Sequence, residues 1–204
     1  MREPRRVVLL GGTFDPIHNG HIAVADQARE LIDADEVWLI PAGIPPHRGA
    51  TAASADDREA MVRAAAATRP ALRVLDLELR RSGPSYTSTT VQELLAEHPE
   101  AEQWFLLGAD AAREIRSWHR LGDLLDMARF LIVNREGALH LTDADAAALG
   151  FDPARTRVVH VDSPPISATD VRRRAAAGEP LDGLVPPEVA KLIVERGLYG
   201  APRP

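Results

Sequence analysis

Cysteine is absent from this chain of 204 residues. Disulfides, thiolate nucleophiles and cysteine-based zinc sites are therefore excluded together. A basic excess is missing as well: the formal net charge is −6, whereas a general nucleic-acid binder normally shows a basic surface. That balance still leaves room for a local basic pocket that takes a small phosphorylated substrate. No segment approaches the length of a membrane span. The apolar run after Met1-Arg2-Glu3-Pro4-Arg5-Arg6 is too short for a signal-peptide core, so a cytoplasmic protein is expected. No repeat and no linker interrupts the chain. The length suits one large α/β domain over residues 1–204.

What is present is alternation. Val7-Val8-Leu9-Leu10, Val37-Trp38-Leu39-Ile40, the alternating stretch 72–79, Trp104-Phe105-Leu106-Leu107, Phe130-Leu131-Ile132-Val133 and Val158-Val159-His160-Val161 read as strands. Helical spacing lies between them. Ile22, Ala25, Ala28, Leu31 and Ile32 form one face, and Met61, Val62, Ala65 and Ala66 a second. Val91, Leu94 and Leu95 form a third, with Ser88, Thr89 or Thr90 as its cap. Short helices are predicted near Ile115 and Trp118, over 121–127 and around 144–149. The C-terminal part, about 163–200, holds a helix that opens near Ser167 and stops at Gly178. A last helix runs from Pro186-Pro187 to Gly197. The prediction is an α/β, Rossmann-like doubly wound fold: a mostly parallel sheet of about six strands with helices on both faces. Such sheets hold ligands beyond the C-terminal strand ends, at the topological switch point.

The first strand runs into Gly11-Gly12-Thr13-Phe14-Asp15-Pro16-Ile17-His18-Asn19-Gly20-His21. Glycines and histidines thus occupy a strand-to-helix junction, where helix-terminal N–H groups point at whatever fills the crevice. Adjacent glycines let the backbone approach a ligand closely. With a helix start near Asn19, His18 and His21 face the same way and both can donate to one anion, and Thr13 offers a further donor. No Glu stands between the histidines and no third ligand is spaced for a metal. Toward the other end, Ser167-Ala168-Thr169 opens a helix with Arg172 about one turn in. A cap of this kind exposes donors to an anion, and the guanidinium can fork onto phosphate oxygens. Arg173 and Arg174 read as solvated neighbours.

The first run resembles the signature of HxGH-type nucleotidyltransferases, and Ile166-Ser167-Ala168-Thr169 with Arg172 resembles the ISxTxxR motif that pairs with it. Pro45-Pro46-His47-Arg48, Tyr86-Thr87, Gly108-Ala109-Asp110, Trp118 and Asn134-Arg135-Glu136-Gly137 follow in the order of the bacterial nicotinate-nucleotide adenylyltransferase family. The resemblance spans essentially the whole chain. It implies ATP bound across the switch point by Gly11, Gly12, Thr13, Phe14, Gly20, Ser167 and Thr169, with His18, His21 and Arg172 as catalytic residues. Magnesium is implied as a companion of the nucleotide, held through its phosphates and not by a protein cage. An acceptor phosphate attacks the α-phosphorus in line, without a covalent intermediate. The implied acceptor is nicotinate mononucleotide and the product deamido-NAD. Trp118 would stack on the pyridine ring, Thr87 with nearby backbone would meet the carboxylate, and Tyr86 belongs to the same substrate side. Asp110 would orient a ribose hydroxyl, His47 and Arg48 would face the anionic substrate, and Gly108 and Arg135 are implied on the substrate side. Neither nucleic acid nor membrane is an implied partner.

Two departures from the family pattern stand out. Ala42-Gly43 occupies a place where several relatives carry an amide, and Ala168 stands where many have Ser. Phosphopantetheine adenylyltransferase is the nearest alternative, but it typically has Thr where His18 stands and lacks the Trp118 and Pro-Pro-His-Arg features. A catalytically silent nucleotide-binding regulator on the same scaffold is the alternative of a different class. Both histidines and Arg172 are present, which weighs against it.

Overall fold

A run of apolar residues buries a strand on both faces, and the centre of the sheet is built that way. Val7, Val8 and Leu9 of β1 (Arg6–Gly12) are at most 1% exposed. The computed structural model describes residues 5–46, 49–137 and 139–203. His47 and Arg48, expected on the substrate side, lie outside the described residues.

Along the chain follow α1 (Asn19–Leu31), β2 (Glu36–Pro41), α2 (Ala55–Ala66), β3 (Leu72–Val74), α3 (Leu77–Arg80) and α4 (Thr87–Glu97). Next come β4 (Glu102–Gly108), α5 (Ala109–Arg113), α6 (Leu121–Met127), β5 (Arg129–Arg135) and α7 (Asp143–Leu149). β6 (Thr156–Val161), α8 (Ala168–Ala176) and α9 (Pro187–Arg196) complete the series. The six strands lie in the order β3-β2-β1-β4-β5-β6, and every described pairing is parallel. This is the doubly wound order, and its switch point falls between β1 and β4. Among the described residues no helix is long and apolar enough to cross a membrane.

The pleat sends alternate side chains to opposite cores. Val8, Leu10, Val37, Leu39, Trp104 and Leu106 join one cluster, covered by Ile22 and Ala25 of α1, Met61 of α2, Val171 of α8 and Val189 of α9. Val7, Leu9, Trp38, Ile40, Phe105 and Leu107 join the other, covered by Val91 and Leu94 of α4, Leu124 of α6 and Ala146 of α7. Each large apolar side chain buried this way stabilises the fold by about 2 kcal/mol before entropy is counted.

The β1–β2 ladder runs to Gly12 and Pro41, whereas the β1–β4 ladder ends at Leu9 and Phe105. Past that point the two central strands diverge, and the crevice opens there.

Two expectations need correction. The stretch 72–79 is not one strand: β3 ends at Val74, and Leu77–Arg80 forms a helical turn. That turn carries Glu78 inward, where its carboxylate accepts a hydrogen bond from Thr90 Oγ1 at 2.6 Å. Period-two alternation cannot reveal that an acidic residue has a buried partner. Helix α4 also starts earlier than expected, with Tyr86 as its N-cap and Thr87 as its first residue. Ser88 and Thr90 are not caps but sit 1% exposed inside the helix.

Candidate active site

Two cavities lie at the C-terminal strand ends, and Gly11, Gly12 and Thr13 line both.

The larger, 520 Å³, is lined by Phe14, Asp15, His18 and His21 from the β1–α1 junction, Gly49, Ala50 and Thr51, Arg135 from the end of β5, and Ile166, Ser167, Ala168, Thr169 and Arg172. Helix α1 begins at Asn19 with His18 as its N-cap. The backbone N–H of His18 donates to Nδ1 of His21 at 3.3 Å, and the two rings stack with centroids 3.7 Å apart. Phe14 is 2% exposed and meets the His21 ring edge-on at 5.2 Å, so it braces the histidine. His18 is 6% exposed, and among the described residues its Nδ1 has no hydrogen-bond partner. Burial, and secondarily the charge of Arg135, lower its pKa to about 4. A neutral imidazole is therefore the resting form near neutral pH.

Gly20 is the reason that ring fits. A Cβ there would lie 3.0 Å from His18 Nδ1 and 3.3 Å from the carbonyl oxygen of Pro164.

Across the cavity, Ser167 Oγ accepts from the N–H of Asp170 and caps α8. Arg172 donates to Thr169 Oγ1 at 3.2 Å and to the main-chain oxygen of Asp15 at 2.7 Å. The guanidinium is thereby oriented before any anion arrives. Arg173 and Arg174 pair with Asp170 on the exposed side of α8.

The smaller cavity, 270 Å³, is mostly apolar in its walls: Leu10, Ile40, Phe105, Leu106, Leu107 and Trp118, with Ala42, Pro45, Pro46, Gly108 and Ala111. Trp118 is half-buried and stands edge-on to Phe105 at 6.3 Å. Its polar corner is Glu78, Ser85 and Thr87, the last being the first residue of α4, whose amide dipoles favour a negative charge at that end. Burial raises the pKa of Glu78, opposed by hydrogen bonds from Thr90 and Ser85. Ser85 Oγ accepts from the N–H of Gly43 at 2.9 Å, and the N–H of Ser85 donates to the carbonyl of Ile44 at 2.8 Å.

These contacts place most of the expected residues. His18, His21, Arg172, Gly11, Gly12, Thr13, Phe14, Ser167 and Thr169 come together around the larger cavity, and Gly20 lies beneath it. Thr87, Gly108 and Trp118 line the smaller one. Arg135, expected on the substrate side, lines the larger cavity instead. Tyr86 lines neither and stacks on His119 at 4.1 Å. Asp110 is exposed on the first turn of α5 and also lines neither.

A family model described as cytidylyltransferase-like matches residues 9–174. A protein of Symbiobacterium thermophilum described as a probable nicotinate-nucleotide adenylyltransferase is 43% identical over 198 residues, 95% of each chain. The chain belongs to the nicotinate-nucleotide adenylyltransferase family. A second relative of that description, from Saccharopolyspora erythraea, is 36% identical and covers 98% of this chain and 92% of its own. Among solved structures, the nicotinic acid mononucleotide adenylyltransferase of Plasmodium falciparum, complexed with NaAD, superposes with a TM-score of 0.80 at 20% identity, covering 97% of this chain and 98% of that one. The sheet and its flanking helices are therefore those of the family's fold.

Membership makes the Ala42-Gly43 departure informative. A Cβ at Gly43 would lie 2.3 Å from the carbonyl oxygen of Glu78, so no side chain fits there while α3 keeps its place.

Several residues of the site escaped the sequence reading. Arg58 is 1% exposed and donates to the carbonyls of Thr13 at 2.8 Å, Ala42 at 2.7 Å and Gly43 at 3.2 Å. It ties together the ends of β1 and β2. A signal existed: Arg58 lies on the apolar face of α2 with Met61, Val62 and Ala65, and a charge on such a face needs buried partners. Asp15 stands within the Gly11–His21 run but was given no role there, and its partner, the hydroxyl of Tyr199 2.8 Å away, had no local signal.

Proposed function

We propose that this protein transfers the adenylyl group of ATP to nicotinate mononucleotide, giving deamido-NAD and pyrophosphate in NAD biosynthesis. The observation that carries the reading is the shared wall at Gly11, Gly12 and Thr13 between an anion-binding cavity and an aromatic one. A triphosphate in the first and a pyridine nucleotide in the second bring the α-phosphorus and the acceptor phosphate to that wall.

The acceptor phosphate is already an anion near neutral pH, so no base has to create the nucleophile. Catalysis then rests on in-line alignment and on neutralising charge at the α-phosphate and the departing pyrophosphate. His18, His21 and Arg172 act on that charge, with Arg135 beside them. Phosphate next to His18 favours the protonated ring, which in the resting protein is neutral. Ser167, Thr169 and the N-terminal turn of α8 hold the outer phosphates. Asp15 is the one carboxylate lining this cavity among the described residues, and it already accepts from two backbone N–H groups and Tyr199. Magnesium would therefore arrive with the nucleotide and would supply further positive charge to the leaving group.

On the acceptor side, Trp118 stacks on the pyridine ring, and Thr87 with the α4 N-terminus receives the ring carboxylate. An anionic substituent gains from that helix end where a neutral amide gains less. Gly108 lets the ribose approach the backbone. The chain works as one domain, in the cytoplasm.

The test is pyrophosphate release from ATP and magnesium with nicotinate mononucleotide, nicotinamide mononucleotide or phosphopantetheine. Release with the pyridine nucleotides alone, fastest with nicotinate, is expected. Release with phosphopantetheine would overturn the reading of the aromatic cavity. ATP binding without release for any acceptor would make the protein a silent binder.

A further inference from the structure

Tyr199 lies outside both cavities, yet it is joined to the wall of the larger one. It sits on the turn that follows α9, with φ 59°, a left-handed conformation that a non-glycine residue rarely adopts. In that conformation its ring packs against the first core and its hydroxyl donates to Asp15 Oδ1 at 2.8 Å. Burial, then the neighbouring Asp15, raises its pKa, so the hydroxyl keeps its proton.

Asp15 is the hub of this arrangement. Its Oδ2 accepts from the N–H of Ala52 at 2.7 Å, and its Oδ1 from the N–H of Ala53 at 3.1 Å. Those two residues directly follow Gly49, Ala50 and Thr51, which line the anion cavity. The main-chain oxygen of Asp15 accepts from Arg172 at 2.7 Å. One residue thus fixes the 49–53 segment through its carboxylate and Arg172 through its carbonyl. Tyr199 supplies the third donor that sets the carboxylate's orientation.

We propose that Tyr199 is a positioning residue for ATP, acting through Asp15 on the 49–53 wall and on Arg172. It touches no substrate. Its hydroxyl restricts the Asp15 carboxylate to the orientation that holds the 49–53 wall against the triphosphate, beside the carbonyl of the same residue that receives Arg172. The aromatic cavity shares none of these contacts, so the effect is confined to the ATP side. The inference rests on the reading of the larger cavity as the triphosphate site.

The variant to make is Tyr199→Phe, which keeps the ring and its packing and removes the hydroxyl alone. Asp15 retains the N–H groups of Ala52 and Ala53, so the fold should survive. The expected result is an increase of about tenfold in the Kd for magnesium-ATP by calorimetry, with KM for nicotinate mononucleotide changed by less than about twofold. Asp15→Asn, and both changes together, complete a cycle. Action through Asp15 requires the double variant to weaken ATP no more than the more severe single one. An unchanged Kd in Tyr199→Phe, equal changes for both substrates, or multiplying effects would overturn the proposal. If Tyr199→Phe does not fold, Asp15→Asn alone decides, because an unchanged Kd there removes the hub. Calorimetry without an acceptor reads the ATP site even if the acceptor were wrongly assigned, so the two readings fail separately.

Discussion

His18 and Arg135 face the same cavity from opposite sides of the switch point, and after burial it is Arg135 that holds the imidazole pKa near 4. Stability should carry the mark of this. The folded value of about 4 lies below the ordinary 6.5, so between these pH values the unfolded chain binds more protons. Above pH 6.5 the group contributes nothing to pH dependence; below it stability falls, and the loss is complete once the pH is under 4. At pH 5 the loss from this one group is about 2 kcal/mol. Denaturant unfolding of the wild type and of His18→Asn at pH 7.5 and pH 5 should show a smaller acid loss in the variant. Equal losses would remove His18 from the account.

Gly20→Ala tests the space that His18 occupies. At an unconstrained helix position the change would stabilise by up to about 1 kcal/mol. Here the new methyl meets the His18 ring at 3.0 Å and the carbonyl oxygen of Pro164 at 3.3 Å, so the ring must give way by a few tenths of an ångström. Turnover should drop by at least about tenfold while the melting temperature changes little. Normal turnover would show that His18 need not hold its observed place.

Gly43→Ala should act on the fold itself. The clash is with the carbonyl oxygen of Glu78 at 2.3 Å, which is backbone and cannot swing away. A loss of about 1–3 kcal/mol is expected, read as a lower midpoint in urea. The aromatic cavity should lose its polar corner with it.

How much of this was legible in the sequence depends on how local each signal is. Four apolar residues in a row identify β1, β2, β4 and β5 because burial on both faces demands them. The run from Gly11 to His21 is legible because one strand-to-helix junction holds the whole motif. Glu78 was misread as part of a strand because its reason for being buried, Thr90 and Ser85, lies beyond the window in which periodicity is counted. Arg135 was expected among the substrate-side residues, and it lines the larger cavity; the cavity that a strand end borders is set by long-range packing that no local pattern shows. Tyr199 and Asp15 are joined across nearly the full length of the chain, and no local pattern records such a pair.

Trp118→Ala should separate the two substrates. The indole is half-buried, lines the aromatic cavity and packs against the second core, so its removal should also lower stability, and the two KM values carry the test. KM for nicotinate mononucleotide should rise by about tenfold or more, with KM for ATP within about twofold. A parallel rise in both would place Trp118 in the fold's support and not in ring recognition.

The early end of the β1–β4 ladder at Leu9 and Phe105 has a further consequence. Beyond it, Leu10, Gly11 and Gly12 on one strand and Leu106, Leu107 and Gly108 on the other border the aromatic cavity. A ligand entering there meets peptide groups that every residue type carries alike. Recognition of this kind is insensitive to spelling. The side chains of Leu106 and Leu107 answer to the two cores, while the amides and carbonyls beside them would present the same surface whichever apolar side chain those cores required.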